Sequence, residues 1–416
     1  MTTPDSFVFV DLQGTPYLAG RLWIHSKGTN QRATFEYDPN WIAADHRFAL
    51  EPALHVGAGP YHTAAGRALF GAIGDSAPDR WGRTLLARRE RLLAKEQGRA
   101  PKTLLEIDYL LGLTDFTRQG ALRFKQELDG PFLATGGEQV PPFLDLGRLL
   151  EAAERATEGK EDAEDLRLLL APGSSLLGSR PKASVRGRQG ELLIAKFNRR
   201  DDDYDVGRWE GVAMSLAQAA GVRTAAWQLE VISGRTVITL RRFDREGDIR
   251  IPFLSAMSIL EVADGQTGSY LEIADAIRRH SAAATLDLRE LWRRLVFTVL
   301  ISNTDDHLRN HGFLYLGSQG WMLSPAYDLN PVPTDIRPRI LSTAILDGED
   351  RSAAMELAYN AAEHFGIRLD EAREIAREVA TAVAGWRATA RSLGASKSEC
   401  DRMASAFEHE DLAAAS

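Results

Sequence analysis

Cysteine occurs once in the 416 residues, at Cys400, so no disulfide can close within the chain and no multi-cysteine zinc site can form. No apolar run reaches the ~20 residues that a membrane span requires. The first residues, Met1-Thr2-Thr3-Pro4-Asp5, lack the basic and apolar segments of a secretory leader. The expectation is a soluble, cytoplasmic protein that makes no membrane contact. Excess positive charge is lacking as well: the formal net charge is -8, which gives no generic attraction for polyphosphate and argues against sequence-independent nucleic-acid binding. Repeats of fixed period are absent. What is present is 44% hydrophobic and 26% charged residues, the balance of a globular enzyme long enough for more than one domain.

Alternation opens the chain. Phe7-Val8-Phe9-Val10 and the run from Tyr17 to Ile24 flank Gln13-Gly14-Thr15-Pro16, the pattern of a hairpin, and Ala33-Thr34-Phe35-Glu36-Tyr37 predicts another strand. A helix is predicted from Arg80 to Lys95, started at Pro78-Asp79, with a short strand at residues 120–124. Residues 151–165, dense in Ala, Glu and Asp, read as an exposed helix or connector, and the breakers Asp129-Gly130-Pro131 and Pro141-Pro142 set the main boundary near 130–150. Strands are expected at 183–185, 192–197 and 237–240, with a helix at about 208–220 stopped by Gly221. Leu291, Leu295, Val296, Val299 and Leu300 recur at helical spacing, and helices dominate from there to the end. Strands followed by helices predict an α+β fold with two lobes.

The segment that carries chemistry is Asn303-Thr304-Asp305-Asp306-His307-Leu308-Arg309-Asn310, followed by Ser324-Pro325-Ala326-Tyr327-Asp328-Leu329-Asn330. Phosphoryl transfer needs a carboxylate beside the acceptor hydroxyl and hard oxygen ligands for the magnesium that bridges the phosphates. Asp305 suits the first role, and Asn310 with Asp328 the second. Asp306 offers an alternative base, and His307 is a catalytic or nucleotide-contacting candidate. An Asp-x4-Asn spacing alone also describes a solvated turn. Its weight comes from what lies upstream: Lys196 closes an apolar strand as a phosphate-binding lysine does, and Glu210 on the next helix is a suitable ion-pair partner. The Gly- and Ser-rich stretch 173–182 matches no standard phosphate-loop pattern but suits amides that cradle phosphate.

In this order the motifs resemble the HipA family of serine/threonine kinases, the toxin halves of bacterial toxin–antitoxin modules. Residues 175–182 are similar to its phosphate loop, Ala195-Lys196-Phe197 to its nucleotide lysine, and Arg241-Arg242-Phe243-Asp244-Arg245 to its hinge. Residues 303–310 and Tyr327-Asp328 are similar to its catalytic loop and metal-binding aspartate. Ser76-Ala77-Pro78-Asp79-Arg80-Trp81-Gly82-Arg83 and residues 120–124 resemble its N-terminal signatures.

The resemblance implies a protein-kinase-like fold whose β-containing N-terminal lobe carries an extra β-rich subdomain and whose C-terminal lobe is all helical. The implied divisions are 1–130, 131–250 and 251–416. ATP and Mg2+ are the implied cofactors, with nucleotide contacts from Ser179, Lys182, Lys196, Glu210, Arg241, Phe243 and His307. Autophosphorylation would fall on Ser175, with Ser174 adjoining it, and would place about two negative charges where ATP phosphates sit. Implied partners are a helix-turn-helix, HipB-like antitoxin, operator DNA reached mainly through that antitoxin, and a protein substrate such as an aminoacyl-tRNA synthetase. Two departures stand out: Arg241 occupies a hinge position that is acidic in some relatives, and Asp306 stands where some have Gly. A small-molecule phosphotransferase and a non-catalytic co-repressor scaffold are the competing readings.

Overall fold

The computed structural model describes residues 5–27, 30–133, 140–170, 180–317 and 320–415. Alternating apolar residues build the first sheet from β1 (Ser6–Leu12), β2 (Thr15–Lys27), β3 (Asn30–Tyr37), β4 (Pro60–His62) and β5 (Leu122–Lys125), ordered β4-β3-β2-β1-β5. Leu12 pairs with Thr15, which leaves a two-residue turn at Gln13 and Gly14, both with positive φ, the geometry that matches strand twist. Val8, Val10, Leu22, Phe35, Tyr37 and Trp41 fill its core. Helices α1 (Pro39–Ala43), α2 (Gly71–Asp75), α3 (Arg80–Glu96) and α4 (Glu106–Leu111) complete this unit. Helix α3 begins where expected because Asp79 accepts a hydrogen bond from the Gly82 amide, at 2.7 Å.

Helices α5 (Leu146–Thr157) and α6 (Ala163–Leu170) bear out the helical half of the expected exposed helix or connector and correct its exposure. Leu146, Leu149, Leu150, Ala153 and Ala156 form a stripe at helical spacing and pack against Trp81, Leu85 and Leu86 of α3. A window starting at Glu151 misses the leucines of the first turn, and its buried alanines Ala152, Ala153 and Ala156 alone do not announce an apolar stripe.

The second sheet contains β6 (Lys182–Arg186), β7 (Leu192–Phe197), β8 (Trp227–Ile232) and β9 (Arg235–Arg241), ordered β6-β7-β9-β8 and antiparallel throughout. Helix α7 (Val206–Ala219) crosses between β7 and β8. A ribbon of β10 (Arg245–Glu246) and β11 (Ile249–Arg250) leads into β12 (Phe253–Ser255), which joins β13 (Gly312–Tyr315) and β14 (Trp321–Leu323) in a third sheet. The C-terminal lobe is therefore not all helical. Runs of three or four residues are too short for alternation to announce them.

Its helices are α8 (Ala256–Ile259), α9 (Tyr270–His280), α10 (Ala284–Leu300), α11 (Met355–Ala361), α12 (Leu369–Ala384), α13 (Trp386–Ser392), α14 (Lys397–Phe407) and α15 (Glu410–Ala415). Leu291, Leu295, Val296, Val299 and Leu300 of α10 are all fully buried, packed in one core with Ile375, Val379 and Val383 of α12. Trp209 of α7 shares that core, so the helix behind the second sheet is anchored in the helical lobe. None of the described helices is long and apolar enough to cross a membrane.

Candidate active site

Strand alternation decides where the lysines point. Leu193, Ala195 and Phe197 of β7 face the core shared with α3, α5 and α6, as do Ala183 and Val185 of β6. Lys196 therefore faces the opposite side, and Lys182, its direct cross-strand partner, faces the same way. Two ammonium groups directly opposite each other repel, and carboxylates answer both. Lys196 Nζ donates to Glu210 Oε1 on α7 at 2.6 Å and to Asp328 Oδ1 at 2.8 Å. Lys182 Nζ donates to Asp79 Oδ2 at 2.7 Å, with both side chains almost wholly buried.

These contacts set the charges. Burial disfavours the Lys196 ammonium, but Asp328 and Glu210 outweigh it and push its pKa up. Burial likewise opposes ionisation of Asp328, yet Lys196, then Lys182 and His307, hold it down at about 2. The stabilisation of the ionised Asp328 is present above the ordinary unfolded value of ~3.9 and is lost only as pH falls through the folded value. Glu210 is pushed up, because burial costs more than Lys196, already shared with Asp328, returns. Asp328 itself sits at φ 60°. A left-handed aspartate costs on the order of 1–3 kcal/mol, strain that concentrates at functional sites.

The catalytic-loop candidate follows α10. Its backbone is pinned by Asn303 N to Thr298 O at 3.0 Å, by Ser342 N to Thr304 O at 3.1 Å and by Thr343 N to Asp306 O at 3.0 Å. The two neighbouring aspartates diverge. Asp306 is buried and accepts from the Tyr270 hydroxyl, while His311 Nε2 lies 3.1 Å from the same oxygen. Asp305 points outward, its side chain 65% exposed, and accepts only from Arg337 Nη1, at 2.8 Å, among the described contacts. Geometry thus makes Asp305 the accessible carboxylate and Asp306 a brace. Asn310 is buried; its Nδ2 reaches Asp305 O at 3.4 Å, while its Oδ1 has no hydrogen-bond partner, nor has His307 Nδ1.

At the hinge candidate, Phe243 is half-buried with its ring 5.4 Å from that of Tyr327. Arg241 is exposed at the end of β9. Arg242, Asp244 and Arg245 instead turn into the first unit. Arg242 Nη2 and Arg245 Nη2 donate to Arg118 O, and Asp244 Oδ2 accepts from Gly120 N at 2.8 Å. Arg242 also donates to both carboxylate oxygens of Asp244, at 2.8 and 2.5 Å. Beyond the expected nucleotide hinge, this stretch has a second task, bolting the hinge to residues 117–120. The alternation of charge in Arg-x-Asp-Arg was the available signal. Ser174, Ser175 and Ser179 lie outside the described residues.

Two lobes meet at a lysine–glutamate pair, a left-handed aspartate and an Asp-x4-Asn loop, which defines the class as a kinase-like fold. The HipA-like C-terminal domain model matches residues 174–386 and the HipA N-terminal domain model residues 12–102. The chain belongs to the HipA family. It is 28% identical over 322 residues to "Putative kinase Y4mE" of Sinorhizobium fredii, covering 71% of each chain. It is 31% identical over 160 residues to "Putative kinase Y4dM" of the same organism, covering 35% of this chain and 36% of that one. A 95-residue match to a "Putative kinase" of Haemophilus influenzae is 32% identical, covering 22% of this chain and 28% of that one. The chain thus spans about a third of the length of two of these relatives. Its fold is that of a chain in the solved complex of HipA, HipB and operator DNA from Shewanella oneidensis MR-1, with a TM-score of 0.65 at 15% identity, over 98% of this chain and 96% of that one.

Proposed function

We propose that the protein is an ATP- and magnesium-dependent serine/threonine-protein kinase, a growth-arresting toxin neutralised by a HipB-like antitoxin. The observation that carries this reading is Lys196 held between Glu210 and Asp328 at 2.6 and 2.8 Å, a charged bridge across the two lobes. It is the arrangement a kinase uses to hold phosphates beside a metal-binding carboxylate.

The residues present fit the implied magnesium. Asp328 is ionised at any physiological pH, and Asn310 offers a buried carbonyl oxygen without a partner. One carboxylate and one amide form the small donor set that magnesium takes when phosphate oxygens supply the rest. When bound, the ion neutralises charge on the phosphates. Lys196 would bind phosphate oxygens, and Phe243 with Tyr327 offers an aromatic wall for a base. Asp305 would accept the proton of the acceptor hydroxyl, releasing Arg337 as it does so. His307 would contact the nucleotide or position that loop.

The acceptors in this proposal are a serine of a translation-related protein, such as an aminoacyl-tRNA synthetase, and Ser175 of the chain's own phosphate loop. Operator DNA would be reached through the antitoxin, consistent with a net charge of -8. Incubation with labelled ATP, magnesium and cell lysate tests the reading. Label on protein, including a peptide that contains Ser175, is expected; label on metabolites alone would make the chain a small-molecule phosphotransferase.

Asp328→Asn is expected to weaken binding of a non-hydrolysable ATP analogue at least tenfold in the presence of magnesium, or ~1.4 kcal/mol. With chelator the variant and the native protein should differ little, since the metal-dependent increment is what disappears. Calorimetry with and without magnesium measures both.

A further inference from the structure

The segment 76–83 of the first unit enters the site only through the Asp79–Lys182 ion pair, where it meets the nucleotide face of the second sheet. Two hydrogen bonds to Lys182 make the junction, and a third fixes the helix start that supplies them. Asp79 Oδ1 caps α3 by accepting from Gly82 N at 2.7 Å, and Asp79 Oδ2 accepts from Lys182 Nζ at 2.7 Å. Trp81 Nε1 donates to the backbone carbonyl of the same lysine at 3.1 Å. Trp81, Leu85 and Leu86 then pack on the back of β6 and β7 through the core they share with Ala183, Val185 and Ala195. Lys182 is thereby held at both its backbone and its side chain by a helix start more than 100 residues away in sequence.

Lys182 is no remote lysine. It pairs across the ladder with Lys196 and faces the same side of the sheet. Lys196 in turn donates to the metal-binding candidate Asp328 at 2.8 Å, so Lys182 stands one ladder position from that contact. The side chains of Asp79 and Lys182 are 2–3% exposed, and burial at that level allows a charge only with a partner. Lys196, opposite Lys182 on the ladder, already occupies both Asp328 and Glu210.

We propose that Asp79 is a positioning residue of the nucleotide site, the means by which the N-terminal unit holds Lys182 toward the phosphates and off Asp328. The site is then incomplete without the N-terminal unit, and occupancy of the one and docking of the other are coupled. The proposal rests on the kinase reading above.

The test uses the full chain and titrates a non-hydrolysable ATP analogue with magnesium, alongside turnover of ATP. Asp79→Asn preserves the helix cap and removes the charge; it is expected to raise Kd and the KM for ATP about tenfold while kcat moves less than threefold. Lys182→Met should do the same, Lys182→Arg should stay within threefold of native, and the double variant Asp79→Asn/Lys182→Met should bind no worse than Lys182→Met alone. Additive losses in the double variant, or native affinity in Lys182→Met, would overturn the proposal. So would a fall in melting temperature for Asp79→Asn with affinity intact, which marks a purely structural pair. Should Asp79→Asn fail to fold, Lys182→Met against Lys182→Arg decides alone. Failure of the native chain to bind the analogue overturns the kinase reading itself; binding by the native chain and all variants alike overturns only the role of Asp79.

Discussion

If Asp305 is the base, Asp305→Asn is expected to cut phosphoryl transfer steeply and to leave the fold untouched. A positioned general base contributes ~10²–10⁴-fold, so turnover measured with labelled ATP should fall by that factor. Asp305 is largely exposed and its ion pair with Arg337 lies at the surface, a type of contact worth at most about 1 kcal/mol. The unfolding free energy should therefore shift by no more than about 0.5 kcal/mol, as for other surface substitutions. The neighbouring residue behaves in the opposite way. Asp306→Ala strips a buried acceptor from the Tyr270 hydroxyl and from His311. Each buried polar group left unsatisfied costs about 1–3 kcal/mol. Melting should expose Asp306→Ala as a stability variant. If Asp306→Ala instead lost activity at native stability while Asp305→Asn kept it, the base would be Asp306.

The second large effect is at Asp244. Its carboxylate sits between Arg242 and Arg245, all three buried, and alanine there leaves two guanidinium groups without their anion. Breaking a buried pair by removing one partner costs about 3–5 kcal/mol. Thermal or denaturant unfolding should show that loss, and replacing all three residues with apolar ones of similar volume should recover most of it. The pH dependence has a defined sign. Burial alone would raise the pKa of Asp244, but Arg242 and Arg245 overcome it and hold the pKa far below the usual carboxylate range. The cluster's stabilisation is thus fully present above the unfolded value of ~3.9 and drains only as pH falls through the folded value. Asp244→Ala should lose that acid-range dependence.

Periodicity revealed the elements whose apolar stripe is long. The β1–β2 hairpin, α3, β7 and α10 lie where alternation or helical spacing places them, with bounds shifted by up to three residues. Strand β8 escaped because Trp227–Ile232 mixes exposed and half-buried positions on a sheet edge, which blurs alternation. Candidate site residues were legible as residue types in chain order: Lys196, Glu210, Asp305, Asn310 and Asp328. Their mutual geometry was not. That Lys196 touches Asp328 as well as Glu210, that Asp306 turns inward to Tyr270, and that Asp79 reaches Lys182 all depend on contacts between distant segments. Local pattern carries no record of such contacts.

The lone thiol gives the molecule a built-in reporter. Cys400 lies on α14 with no exposed surface, in the core it shares with Phe407 and Trp386. A thiol reagent added to the native protein meets nothing until that helix lifts away, so the rate of modification counts openings of the C-terminal layer. Trp209 ties α7, and with it Glu210, to the same layer. A nucleotide that tightens the Lys196–Glu210 pair should therefore slow the labelling of a cysteine that touches no part of the active site.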